Sequence, residues 1–404
     1  MREAIKFIRW QTGSGEIRLG VCVCDDRAVP VDAVLPQVTS WEGVLAHCRG
    51  QGISVAEWAD QILNDTPERV AVSRERLIAP VDVSELWAAG VTYELSRDAR
   101  EAETISALNF YRKVYDADRP EIFFKCPGTR VVGPGAFVGL RRDATWHVPE
   151  PELTVILDDA GQVFGYTGGN DMTARDVEAD NPLYLPQAKF FHHSAAIGPT
   201  LVLADTVDPY NLTITLDIWR RGDLHIRQTT STRYLRRSIA DLVSYMGRAW
   251  PLAPWTGLMT GTGIVPPDEF ALEDGDEIDI TIPEIGTLHN RARLITSDWA
   301  PVPGAIPRVL RIDPRDNVAV ALGEIQKEQR ITVGSVNMVS RDAIPFGHKI
   351  ALEDIQAGDW IVKYGEHIGV ASRPIAEGQH VHSHNVESQR GRGDLLVHQK
   401  GEQE

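Results

Sequence analysis

The chain has 404 residues, 43% hydrophobic and 24% charged, an ordinary globular composition with material for two or three domains at roughly 150 residues each. Its 41 basic and 57 acidic residues leave a net charge of −16, which argues against a nucleic-acid or anionic-membrane surface, since both need a basic face. An anionic small substrate stays open, because a bound divalent cation inverts the local sign.

The start, MREAIKFIRW, lacks an apolar run of signal-peptide length, and no later segment approaches the ~20 apolar residues of a membrane helix. Cys22 and Cys24 alternate within GVCVC, while Cys48 and Cys126 are isolated; neither a disulfide nor a zinc pattern results. The sequence therefore reads as a soluble cytoplasmic protein with reduced thiols.

Residues 1–78 alternate apolar and polar side chains and then carry a short helical stretch, VAEWADQIL, which reads as a small β-rich N-terminal module. A helix is expected around 96–113, followed by the apolar strand PEIFFKCPG. From 150 to 295 the period is mostly two. LTVIL and VFGYTGG form a hairpin turning at Asp158, Asp159 and Gly161; LTITLDIW with LHIRQ, and EIDITI with TLHNRARLI, form two more. Leu235, Ile239, Leu242, Val243 and Met246 recur at helical spacing, with Ser231 available as a cap. No strand–helix alternation appears, so the fold class is α+β and β-dominated rather than doubly wound. The Pro-rich segment 298–308 marks a linker between a domain at 79–297 and a third unit at 309–386, with a charged tail at 387–404 expected to be mobile.

The chemistry concentrates in HVPEPELTVILDDAGQVFGYTGGNDMTARD. Glu150 and Glu152 are two apart at a strand start, so both carboxylates project from one face. A hairpin turning near Ala160 places residue 170 opposite residue 150 and brings Asp171 beside the glutamates, with Gly168 and Gly169 allowing close approach. Three converging carboxylates need a neutraliser, and oxygen-only ligation suits Mg²⁺, Mn²⁺ or Ca²⁺ rather than zinc. An E-x-E alone is usually a solvated strand edge; the return to Asn170-Asp171 is what raises it to a metal candidate.

Glu150-Pro-Glu152, the Gly-Asn170-Asp171-Met-Thr-Ala-Arg175-Asp176 phrase, Lys189 and the Gly261-Thr262-Gly263 turn resemble the fumarylacetoacetate hydrolase superfamily over roughly residues 80–295. The resemblance implies an irregular β-roll, a homodimer or homotetramer, and Mg²⁺ on Glu150, Glu152 and Asp171. It also implies a lysine and a Gly-Thr turn lining a pocket for an α-keto acid. Hydrolases and decarboxylases of the family carry Asn-Tyr-x-x-His-x-x-Glu, whose His and Glu activate water. Here the run is Thr92-Tyr93-Glu94-Leu95-Ser96-Arg97-Asp98-Ala99, with Ser96 and Ala99 in those places, which removes the general base of a hydrolase.

GVTYELSR, RPEIFFK, NPLYLPQAK and TGTGIVPPD look like the 2-keto-3-deoxy-D-arabinonate dehydratase branch, which forms 2,5-dioxopentanoate. That implies a base for the C3 proton and an acid for the departing C4 hydroxyl, and Lys189 and Glu121 are the candidates, in either order. Their plain alternatives are a loop lysine and a strand-edge carboxylate. Thr262 is a candidate substrate-binding residue against an ordinary turn threonine. Arg175 is a candidate clamp on substrate or on the Asp171 loop, against structural pairing with a carboxylate. His192 and His193, beside two aromatics, read as packing residues.

Residues 309–386 resemble a second family, the small β-clip (SAF-type) domain of altronate and galactarate dehydratases, through RIDPRDNVAVAL, GHKIALEDIQAGD, KYGEHIGVA and GQHVHSHN. His380, His382 and His384 alternate on an expected strand, with His348 and His367 as possible companions. That pattern admits a metal site, an anion site or a polar interface face. Besides dehydration, a C–C hydrolase of a 2,4-diketo-3-deoxy sugar acid and a non-catalytic sugar-acid binding protein remain as readings. All three take a small-molecule partner, with neither nucleic acid nor membrane.

Overall fold

The computed structural model describes residues 4–24, 26–36, 38–93, 110–248, 251–296, 309–311, 313, 315–321, 324–328, 330–333 and 336–387. It divides into two units, Met1–Asp298 and Trp299–Glu404. The expected linker and, beyond Glu387, the expected tail lie outside the described residues, as do 94–109 with most of the helix expected at 96–113. Among the described residues no helix is long and apolar enough to cross a membrane.

The first unit begins with β1 (Lys6–Gln11), β2 (Ile17–Cys24), β3 (Arg27–Pro30), β4 (Val70–Ala71) and β5 (Leu77–Ile78). Then come β6 (Glu85–Gly90), β7 (Glu121–Pro127), β8 (Phe137–Leu140), β9 (His147–Val148), β10 (Pro151–Leu157), β11 (Val163–Asp171) and β12 (Thr173–Ala174). The last six are β13 (Ala195–Leu203), β14 (Thr213–Arg220), β15 (Asp223–Ser231), β16 (Gly257–Met259), β17 (Glu277–Ile282) and β18 (Gly286–Leu294).

Among the described residues, eleven strands form one sheet in the order β4-β3-β2-β1-β13-β11-β10-β16-β6-β7, with β5 on β1; a second sheet runs β15-β14-β17-β18-β8. The strands of the N-terminal stretch are thus part of the large sheet. They bond to it where Phe7 pairs with Leu201 of β13. All three expected hairpins form.

β10 is buried along its whole length, which is why LTVIL reads as a continuous apolar run instead of an alternating one. Its odd residues Leu153, Val155 and Leu157 pack into a core with Ile214, Leu216, Ile218, Ile278 and Ile280 of the second sheet. Ile156 points the other way, into a core closed by Trp41, Val44, Trp58 and Ile62. Those four side chains lie on helices α1 (Trp41–Gln51) and α2 (Val55–Asp65); the Ser54/Glu57 capping box starts α2 by satisfying two otherwise orphaned backbone amides. Truncating a fully buried side chain such as Leu153 to alanine would cost about 2–5 kcal/mol.

Three further helices are α3 (Phe110–Asp116), α4 (Arg175–Asp180) and α5 (Leu185–Lys189). The helix expected from Leu235 starts later, as α6 (Ile239–Gly247), and Ser238 caps it. Ser231 instead accepts from Arg233 N in a 3₁₀ turn over Thr232–Tyr234, so the apolar spacing ran through two separate elements.

In the second unit the strands are β19 (Val309–Leu310), β20 (Val318–Ala321), β21 (Arg330–Val333), β22 (Val336–Val339), β23 (Lys349–Ala351), β24 (Trp360–Lys363), β25 (Glu366–Ala371), β26 (His380–Val381) and β27 (Val386–Glu387). β19-β20-β23-β26 form one sheet and β24-β25-β27 another. Ile350 and Ala351, neighbours on β23, point into two different small cores.

Candidate active site

The hairpin of β10 and β11 carries the three expected carboxylates, in a register one residue away from the expected one. Leu157 pairs with Val163, but Ile156 pairs with Gly165, leaving Phe164 as an extra residue in a β-bulge. From there Glu152 lies opposite Gly169 and Pro151 opposite Asn170, and Asp171 N donates to Glu150 O at 3.0 Å. Directly opposed residues share a face, so the bulge puts Asp171 on the side of Glu150 and Glu152. The unbulged register would have put Asn170 there. At Gly169 a Cβ would stand 2.2 Å from Thr154 Oγ1, so the strands approach as the two glycines suggested.

Glu150, Glu152 and Asp171 offer oxygens that all lie within 4.8 Å of one another, and each residue is at most 3% exposed. Two such charges repel by about 3 kcal/mol at an effective dielectric of ~20. Burial, then the Asp171 and Glu150 charges, push the Glu152 carboxyl well above the usual carboxylate range.

Cations are built in against this repulsion. Lys189, at the end of α5, donates to Glu150 Oε2 (2.5 Å), Asp171 Oδ2 (2.9 Å) and Thr173 Oγ1 (2.7 Å). Lys125, fully buried, meets Asp171 Oδ1 at 2.5 Å and donates to the carbonyls of Met172 (2.9 Å) and Lys189. Desolvation lowers its pKa, and Asp171 opposes that. Arg175 donates to Glu150 Oε1 at 3.1 Å and lies 3.8 Å from Glu178.

The triad opens on a small cavity lined by Glu121, Phe123, Glu178, Leu185, Lys189 and Thr262 among others. Gly261 N donates to Glu152 Oε2 at 2.6 Å. Its φ of +92° and the 1.9 Å between a would-be Cβ and Thr92 Oγ1 explain why glycine opens this turn. Thr262 Oγ1 accepts from Ile264 N at 3.1 Å, so the hydroxyl shapes the turn that forms the cavity wall. Glu121 begins β7 opposite Gly90, where a Cβ would lie 2.5 Å from its Oε2.

Five of the expected site residues, Glu121, Glu150, Glu152, Asp171 and Lys189, together with Thr262, thus meet at one cavity. Arg175 does not line it; its guanidinium bonds Glu150 and lies 3.8 Å from Glu178. His192 and His193 stack on each other at 4.0 Å and are also absent from the wall. Burial, then the His193 charge, lowers His192 to a pKa of about 4. Ser96 and Ala99 lie outside the described residues; Tyr93 is buried. Sequence reasoning passed over Lys125 and Glu178. Lys125 sits in a second bulge, between the pairs Trp87–Phe124 and Leu86–Cys126, so period-two counting through EIFFK misplaces it. The spacing Arg175–Glu178 on a helix was the available signal for Glu178.

A hard dication fits this donor set. Lys125, Lys189 and Arg175 face the buried Glu150, Glu152, Asp171 and Glu178, with Glu121 a fifth carboxylate at the wall. Among the described residues three cations thus stand against five carboxylates, a formal deficit that one divalent ion with oxygen ligands would fill.

Residues 90–293 match the model of the fumarylacetoacetate (FAA) hydrolase C-terminal family, and the chain belongs to that family. Residues 307–389 match the altronate/galactarate dehydratase SAF domain. The chain is 47% identical over 212 residues (52% of it, 73% of the relative) to a Haloferax volcanii protein named "Probable 2-keto-3-deoxyxylonate dehydratase". It is 44% identical over 217 residues (53% and 73%) to 2-dehydro-3-deoxy-D-arabinonate dehydratase of Saccharolobus solfataricus. A solved 2-keto-3-deoxy-D-arabinonate dehydratase, complexed with magnesium and 2,5-dioxopentanoate, superposes with a TM-score of 0.58 at 33% identity, covering 72% of this chain and 99% of that one.

Proposed function

We propose that this protein is a Mg²⁺-dependent hydro-lyase that removes water from a 2-keto-3-deoxy-pentonate to give 2,5-dioxopentanoate. The observation that carries the reading is the buried Glu150–Glu152–Asp171 triad opening onto the same cavity as Lys189 and Glu121. The similarity to two named dehydratases supports the substrate class.

A hard dication held by the triad would chelate the carboxylate and 2-oxo group of such a substrate and acidify its C3 protons. Lys189 and Glu121 handle the protons: one takes a C3 proton while the other protonates the C4 hydroxyl, which leaves as water. A proton shift from C5 to C3 then leaves a C4=C5 enol, and loss of its hydroxyl proton with protonation of C4 gives the aldehyde of the product. In the arrangement described, Lys189 makes three donor contacts, as many as an ammonium can. Arg175 and Lys125 hold Glu150 and Asp171 in place from below the cavity wall. Thr262 bounds the substrate carboxylate's side of the cavity. The cytoplasm is the expected compartment from the four unpaired cysteines, and a homodimer or homotetramer from the family resemblance; the net charge of −16 disfavours nucleic acid and anionic membranes as partners.

The test is to incubate the full chain with Mg²⁺ and 2-keto-3-deoxy-D-arabinonate and follow 2,5-dioxopentanoate by mass spectrometry. Pyruvate and a smaller acid from a diketo substrate would instead indicate the hydrolase, and binding with no turnover a sugar-acid receptor. Lys189→Ala should keep Mg²⁺ binding and lower turnover about 10²–10⁴-fold; unchanged turnover removes Lys189 from the mechanism.

A further inference from the structure

In the second unit the histidines gather differently from the expectation. Of His380, His382 and His384, His380 alone is on a strand; β26 ends at Val381, and His382 and His384 belong to the turn that follows. That turn is pinned by the buried Asn385, whose Oδ1 accepts from His382 N (3.0 Å) and whose Nδ2 donates to His380 O (2.9 Å). Asn385 N also donates to His382 O at 3.0 Å. Ile350 pairs with His380 and Lys349 with Val381, so His348, next in line, meets the end of β26. His367 stacks on Trp360 instead.

Four imidazoles therefore crowd together. The ring of His348 is centred 5.0 Å from His380 and 4.5 Å from His382, and His384 is 5.2 Å from His380. His348 Nδ1 and His380 Nε2 face each other at 2.8 Å. Imidazoles sharing one tetrahedral ion through bonds of ~2.1 Å stand about 5 Å apart centre to centre.

We propose that His348 and His380, completed by His382 or His384, form a second metal site, one that takes a borderline transition dication such as Zn²⁺, Ni²⁺ or Co²⁺ and not Mg²⁺. Imidazole nitrogen donors select for that class. His348 and His380 already place two nitrogens side by side. The rings of His348, His380 and His382 lie within 28° of parallel, so the third nitrogen reaches the ion by rotation about χ2, a soft torsion for histidine. His382 Nδ1 bonds Ser383 Oγ at 2.9 Å, which leaves Nε2 to ligate and fixes the ring as outer-shell partners do.

The experiment is a calorimetric titration of the full chain with Ni²⁺ in excess Mg²⁺, which occupies the oxygen site, with Co²⁺ absorption as a second readout. One equivalent per chain is expected, retained in Glu152→Gln and lost in His380→Gln and in His348→Gln, with thermal melts confirming that the variants fold. Asn385→Ala keeps all four rings but frees the turn and should weaken binding at least tenfold, in the range found for outer-shell partners. Absence of a Ni²⁺ equivalent in the parent chain overturns the proposal. So does an Asn385→Ala variant that binds like the parent, because the rings would then act as independent surface histidines. Loss of dehydration with Ni²⁺ binding intact would count against the catalytic reading alone.

Discussion

The carboxylate cluster of the first unit and the imidazole cluster of the second solve the crowding of like groups in opposite ways. Carboxylates are charged at neutral pH, so three of them sunk beneath the surface come with Lys125, Lys189 and Arg175 already in contact. Imidazoles can shed their charge, so His348, His380, His382 and His384 crowd together half-buried or exposed, ring against ring. The lesson is that the donor's own chemistry decides how much supporting structure a site needs. A hard, buried site has to be scaffolded electrostatically, whereas a neutral nitrogen site needs only a well-held turn.

Four substitutions sharpen or break that contrast. The largest effect belongs to Glu152→Gln, which removes a ligand: Mg²⁺ affinity and turnover should fall together by at least ~100-fold, the upper range even for outer-shell partners. If calorimetry shows Mg²⁺ binding unchanged, the triad is not the metal site. Next, Lys125→Met strips the buried counter-charge from Asp171 and should cost about 3–5 kcal/mol of stability. Because a dication supplies the same compensation, adding Mg²⁺ should shrink the loss in denaturant melts; an equal loss with and without Mg²⁺ would mean that Lys125 serves packing alone.

Gly90→Ala should have a milder, more local effect. Its Cβ displaces only the end of the Glu121 side chain, so the fold should hold while turnover drops about tenfold with Mg²⁺ affinity intact. Normal turnover would exclude Glu121 from proton transfer. Smallest is His289→Asn. The hydrogen bond to Asp279, at 2.7 Å, raises the His289 pKa above 6.5. A raised folded pKa stabilises fully below that unfolded value, and the gain fades as pH rises through the folded one. Being half-exposed, the pair should contribute less than ~1 kcal/mol in acid and nothing in alkali. Melts of the variant that match the parent at low pH would show the pair to be silent.

Much of the first unit was readable before folding. The three hairpins and the shared face of Glu150 and Glu152 follow from period-two spacing and turn residues. Lys189, Glu121 and Thr262 came from resemblance, and they line the cavity. Period counting failed wherever a strand gained a residue: Phe164 and Lys125 are each one bulge, and neither carries a mark in the chain. It failed again at HVHSHN, where alternation promised a strand and Asn385 built a turn.

Composition, hairpin spacing and the acidic motif were thus determined by the amino-acid order alone, because side-chain alternation and turn preference act over a few neighbouring residues. Tertiary structure decided which face Asp171 joins, that Lys125 neutralises it, that Arg175 bonds Glu150 and lies beside Glu178, and that four histidines meet. Each of those depends on one-residue shifts in register or on partners dozens of positions away, where local periodicity carries no information.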